Sequence, residues 1–184
     1  MISKKKYLAA LLFLIISPWF VQLLVSGFEW WWLKSLGFSL SNIWENLITN
    51  TSVDYLFLQG DSRVEFGTQE TGPFYIYQIP LILIGFYALF DNFNLHKKIL
   101  LGWLITALLF ASCFTSPDFS NDLFYFLPLQ IISFLGLLKI IDIWKRGKLL
   151  TKGLLSAYAL LAIYEMIIFF HIIIVHYPKR LLVM

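Results

Sequence analysis

Long apolar runs constrain this sequence more than any other feature in it. Residues 7–26, 74–90, 99–114, 123–138 and 154–175 carry one charged side chain between them, Glu165. About 20 apolar residues cross the hydrocarbon core of a bilayer as a helix, so each run reads as a transmembrane helix. The runs at 99–114 and 123–138 are short for a full span, a mismatch that tilt, local thinning and flanking aromatic or basic side chains absorb. A water-soluble fold is excluded by composition, because 59% of residues are hydrophobic and 14% charged, against about 45–50% and about 25% in ordinary soluble domains. The fold class expected is an all-α integral membrane protein, a single membrane domain of about five transmembrane helices.

The first run follows Lys4, Lys5 and Lys6. It is longer than the apolar core of a secretory signal, which is about 7–15 residues, and only Val25, Ser26 and Gly27 offer a poor cleavage site. It is therefore read as an uncleaved helix, kinked at Pro18. Cytoplasmic segments are enriched in Lys and Arg. With the N-terminus inside, the cytoplasmic ends collect Lys4, Lys5, Lys6, Lys97, Lys98, Lys139, Lys145, Arg146, Lys148 and Lys152, leaving Lys34, Arg63, Lys179 and Arg180 outside. The expected topology is N-terminus in and C-terminus out, in a cell membrane. Basic residues split in this way form no single polar face, which excludes nucleic-acid binding. The lone Cys113 lies in an apolar run and is expected to be buried packing, with no disulfide or zinc framework within one chain.

The segment 28–73 is then an extracytoplasmic loop. It opens on an aromatic belt, Trp30-Trp31-Trp32, and Leu36, Leu40, Ile43, Trp44, Leu47 and Ile48 recur at helical spacing. Such a pattern predicts an amphipathic helix lying on the membrane surface, with Asn42 and Glu45 spaced as a capping box. The loop ends in its least lipid-like part, where Asp61, Arg63, Glu65 and Glu70 stand beside three glycines. An arginine that forks onto phosphate and carboxylates that accept hydroxyls would hold a phosphorylated sugar there; a solvated, glycine-rich turn explains the same composition.

Glu165 is the one acid within an apolar run. Intramembrane acids are costly and mark functional sites by default, and the structural alternative is a carboxyl that holds helices together with Gln130 or Tyr158. His171 lies roughly 240° from Glu165 around an α-helix, so the two share no face. His176, Tyr177, Lys179 and Arg180 form a basic and aromatic edge that either meets phosphate headgroups or anchors the last helix at the interface. No phosphate loop, zinc spacing or nucleophile elbow is present, and no cofactor is expected.

Two runs, Asp54-Tyr55-Leu56-Phe57-Leu58-Gln59-Gly60-Asp61 and Gly72-Pro73-Phe74-Tyr75-Ile76-Tyr77-Gln78-Ile79-Pro80 continuing to Gly85, resemble a segment of bacterial GT-C glycosyltransferases, in the protein mannosyltransferase and aminoarabinose transferase superfamily. Leu127-Pro128-Leu129-Gln130 is similar to the helix after a short outer loop in that family. Tyr164-Glu165 through His171 to His176-Tyr177-Pro178-Lys179 is similar to its last membrane helix and exit. The likeness covers about Asn42 to Lys179 and corresponds to the later half of the family's longer chain. It implies sugar transfer from a polyprenyl-phosphate donor on the outer side of the membrane, with Asp61, Arg63, Glu70, Glu165, His171 and His176 as substrate-binding candidates. The family's general base lies in an earlier loop that this match does not reach, and Phe119 and Asp122 stand where relatives tend to carry His and Arg. The expectation is a partial glycosyltransferase that is inactive without an N-terminal half or partner membrane protein. The alternative is a non-catalytic subunit that binds a membrane lipid or a protein partner. A transporter would need polar residues along several helices, and only Glu165 qualifies.

Overall fold

The computed structural model describes residues 42–59, 71–91, 93–113 and 119–176, together with Phe13, Pro18 and Phe20. All the regular structure among them is helical: α1 (Ile43–Thr51), a π turn (Asp54–Leu58), α2 (Gln78–Phe90), α3 (Leu95–Ser112), α4 (Phe119–Arg146) and α5 (Leu149–His171), the last running into a second π turn (Ile172–His176). Three stretches among the described residues are long and apolar enough to cross a membrane: Leu95–Ser112, Asp122–Arg146 and Leu149–Val175. This is the build of a helical membrane protein.

The boundaries differ from those that hydropathy predicts. The run at 123–138 lies inside a helix of 28 residues, because Lys139, Asp142, Lys145 and Arg146 end the apolar stretch without breaking the helix. Charged straight-chain residues are good helix formers. For the same reason the run at 99–114 begins at Leu95 and the run at 154–175 begins at Leu149. The opposite happens at 74–90. Residues 74–77 form a turn, and the 13-residue α2 is about 20 Å long at 1.5 Å per residue, short of a bilayer core. Of the run at 7–26, Phe13, Pro18 and Phe20 are helical, and the rest lies outside the described residues.

α4 is the central element, with α2 and α3 packed on it. Gly85 of α2 lies against the Ile132 carbonyl of α4, and Gly136 of α4 lies against the Leu81 carbonyl of α2. Small residues at such a crossing let two backbones touch, which is how helices gain packing energy where lipid removes the hydrophobic drive between them. Around the crossing, Phe74, Ile82, Leu89, Leu104, Phe126 and Ile132 form the core, and the Phe74 and Phe126 rings meet edge to face at 5.5 Å.

The two ends of the bundle differ in chemistry. At one end, Lys97 Nζ donates to the Ala88 carbonyl at 2.7 Å and to the Asp91 carbonyl, tying down the C-terminal carbonyls of α2. The Asn94 side chain accepts from the Lys97 backbone N–H at 3.1 Å and caps α3, and Lys139 pairs with Asp91 at 3.2 Å. At the other end, α1 and the first π turn close over α3 and α4. On α1, Trp44 (75%) and Ile48 (67%) are exposed beside Glu45, Thr49 and Thr51, while Asn46 and Asn50 are buried. The capping box does not form: Asn42 makes no side-chain cap bond, and its carbonyl accepts from Asn46 N–H at 2.9 Å. Cys113 is half-buried, its thiol donating to the Leu109 carbonyl at 3.2 Å.

α5 stands apart from this core. Of its most apolar stretch 11% is buried, compared with 44% in α4, and Leu154, Leu160 and Ile167 face outward.

Candidate functional site

α5 meets the bundle through an aromatic cluster centred on the buried Phe169 and through polar atoms. Glu165 Oε2 accepts from the Tyr77 backbone N–H at 3.1 Å, and the Tyr158 hydroxyl donates to the Tyr77 carbonyl. Glu165 and Tyr158 are seven residues apart, two helical turns, so they share a face and hold both backbone groups of one residue. Tyr77 is the N-cap of α2 and has no capping side chain of its own. A free backbone N–H at a helix start is an unsatisfied donor, and the positive end of the helix dipole favours a carboxylate beside it. Glu165 supplies that carboxylate from another helix. Because α5 starts at Leu149, Glu165 lies about 24 Å along it, level with the start of α2 and within about one turn of the midpoint of the apolar stretch Leu149–Val175.

A second chain of bonds runs beside the first. Gln78 Oε1 accepts from Tyr75 N–H at 2.9 Å, Gln78 Nε2 donates to Gln130 Oε1 at 3.0 Å, and Gln130 Nε2 donates to the Phe13 carbonyl at 3.2 Å. Gln78 and Gln130 are fully enclosed, and buried amides of this kind are satisfied by each other rather than by water. Tyr75 and Tyr77 stack at 5.2 Å, with Phe169 edge-on to Tyr75 at 5.4 Å.

The third polar feature lies under α1. The Tyr55 hydroxyl donates to Asp122 Oδ2, the Tyr125 hydroxyl donates to the Asn50 carbonyl at 3.1 Å, and Asn46 Nδ2 donates to the Ser112 carbonyl at 3.2 Å. Asp122 and Asn50 are fully buried, so Asn50 is no accessible glycosylation site although Asn50-Thr51-Ser52 fits the three-residue pattern. A cavity of about 290 Å³ adjoins this cluster, with Asn50, Thr51 and Tyr125 at its polar side and Ile82, Phe86 and Leu104 opposite.

Of the six residues predicted for the site, Glu165 is joined to another element through the Tyr77 N–H. His171 is exposed on a different side of α5, as the spacing requires, and His176 ends the second π turn. Asp61, Arg63 and Glu70 lie outside the described residues. Among the described residues no three His, Cys, Asp or Glu side chains gather as a metal site would need. Gln130, offered as a partner for Glu165, bonds Gln78 instead, whereas Tyr158 does share a target with it. Sequence reasoning missed the cluster around Asp122, which reads as a loop acid; its signal is an Asn pair four residues apart, Asn46 and Asn50, on a helix otherwise fitted to lipid.

No family model matches the sequence, and neither the curated proteins nor the solved structures contain a match.

Proposed function

We propose that this chain is the later-half scaffold of a GT-C-type glycosyltransferase, which binds a polyprenyl-phosphate sugar at its extracytoplasmic face and depends on a second polypeptide for catalysis. One observation supports the reading. The separate segments that carry the resemblance meet in space: Phe74 N–H donates to the Leu56 carbonyl at 2.9 Å, Gln78 bonds Gln130, and Tyr77 bonds Glu165. Residues from positions 56 to 165 are thereby gathered at one end of the bundle, where the polar segment carrying Asp61, Arg63 and Glu70 begins and ends.

Binding without catalysis is the form that Glu165 and Asp122 favour. A general base must reach the acceptor proton and be unoccupied when it does so. Glu165 holds a backbone amide and Asp122 is enclosed beneath a tyrosine hydroxyl, so both are positioning residues. In this reading the chain crosses the membrane five times, residues 74–77 completing the span that α2 is too short to make alone, α1 lies at the outer interface with Trp44 and Ile48 toward lipid, the N-terminus is cytoplasmic and the C-terminus extracytoplasmic. The lysine end of the bundle then faces the cytoplasm.

Native mass spectrometry of the purified full chain with polyprenyl phosphate tests the binding half. Polyprenyl phosphate is expected to be retained over the uncharged polyprenol, and Arg63→Gln to weaken retention of the phosphate by about tenfold, the worth of one charge-assisted hydrogen bond. Equal retention of the two lipids, or no effect of Arg63→Gln, would remove the donor site from the loop.

A further inference from the structure

We propose that the cleft between α4 and α5 is a binding site for an anionic membrane phospholipid, one acyl chain lying in the cleft and the phosphate resting on Lys145, Lys148 and Lys152 at the lysine end. This goes beyond the donor-binding reading and does not depend on it.

The cleft holds about 460 Å³ and is lined by Leu137, Ile141 and Trp144 on α4 and by Leu155, Ala159 and Ala162 on α5, with Tyr77 at its far end. Both alanines are small, which leaves a channel rather than a packed seam where α5 passes α4. From Leu155 to Ala162 it runs about 10 Å along the helix, a length suited to a single chain within one leaflet. Lipid-exposed grooves between helices take acyl chains without cost, since the chain exchanges one apolar surrounding for another.

Charge decides which way the lipid lies. Helix stripes recur every three or four residues and every seven. Lys145 is therefore the next residue after Ile141 on the stripe of α4 that lines the cleft. Lys152 stands three residues before Leu155 on the lining stripe of α5, and Lys148 is the N-cap residue from which that helix starts. All three side chains are exposed, and Trp144 between them and the cleft is the type of ring that sits at headgroup level. Asp142 is three residues from Lys145 and four from Arg146, so this end of α4 carries two exposed cations against one exposed acid. The opposite end is lined by Tyr77 and Tyr158, and no basic side chain lines the cleft there. One end of the cleft thus complements an anionic headgroup and the other offers it no cation. A basic cluster at a membrane surface attracts anionic lipid by about 1 kcal/mol per Lys or Arg.

The test uses the full purified chain released from nanodiscs that contain equal phosphatidylglycerol and phosphatidylcholine, with bound lipid read by native mass spectrometry. Phosphatidylglycerol is expected to be retained preferentially. The K145Q/K148Q/K152Q variant, altered only at exposed positions, is expected to lower that preference by at least about tenfold. Lys98→Gln, a basic change at the same end but away from the cleft, is expected to leave it intact, and Ala159→Trp to reduce retention of both lipids by filling the channel. Equal retention of the two lipids by the natural chain, or a triple variant with unchanged preference, overturns the proposal. So does a dimer that Ala159→Trp dissociates, since the cleft would then be occupied by a second copy's helix.

Discussion

Gly136→Ala and Gly85→Ala are each expected to destabilise the bundle more than any other single methyl addition in the described residues. A Cβ at Gly136 would stand 1.9 Å from the Leu81 carbonyl oxygen, and one at Gly85 would stand 2.0 Å from the Ile132 carbonyl oxygen. Both obstacles are backbone, so no rotamer change relieves them, and the two helices must part. Overpacking a tight core by a single group costs about 1–3 kcal/mol, occasionally more, and the crossing of α2 on α4 places these substitutions at the upper end of that range. Gly102 supplies the control, since a Cβ there meets nothing within 4 Å. Replacing a mid-helix glycine by alanine in open space gains up to about 1 kcal/mol from helix propensity alone. Thermal or SDS titration of the purified variants, followed by circular dichroism, is expected to rank Gly102→Ala at or above the natural chain and both crossing variants well below it. Crossing variants as stable as the natural chain would mean that α2 and α4 do not touch at these glycines.

The second large effect concerns Glu165, and its sign depends on which replacement is made. Leu cannot accept from the Tyr77 N–H, so Glu165→Leu leaves a helix-start donor unsatisfied in a region poor in water. The cost of such an orphan is about 1–3 kcal/mol. Gln keeps an amide oxygen at the same reach and is expected to restore most of the stability. Tyr158→Phe removes the companion bond to the Tyr77 carbonyl and is expected to cost about 0.5–1.5 kcal/mol. Together with Glu165→Leu it should free α5 from the bundle, read as faster proteolysis of the α4–α5 connection. A catalytic or proton-relay carboxyl would give the opposite ranking, with Gln nearly as damaging to function as Leu and stability unmoved by either.

Hydropathy locates α3, α4 and α5 but misjudges where they stop. A charge ends an apolar run without ending a helix, so α4 continues through Lys139 and Asp142 to Arg146, and α5 begins at Leu149, before the lysine at 152. Glu165 stays near the middle of its stretch, and the fold sets it level with the α2 N-terminus. The two readings of Glu165 could not be separated along the sequence, since its partner is a backbone amide 88 residues away and backbone groups leave no mark on composition. The glycine crossing was hidden for a related reason. Gly85 and Gly136 are unremarkable within their own runs, and only pairing the helices reveals that each fills the other's gap. The cluster under α1 was legible in part: Asn46 and Asn50 at helical spacing mark a polar face, but the amphipathic reading turned attention to Trp44 and Ile48 on the other side. The resemblance to GT-C enzymes has no match to a known family behind it.

The central claim is that the chain binds a lipid-linked sugar and cannot transfer it alone. Single-turnover transfer in proteoliposomes tests it most directly, with the purified chain, a polyprenyl-phosphate sugar and an acceptor on the same side as residues 28–73. Retention of the donor with no transferred sugar is the expected result. Transfer by the chain alone, abolished by Glu165→Gln in a variant that keeps its stability, would contradict it.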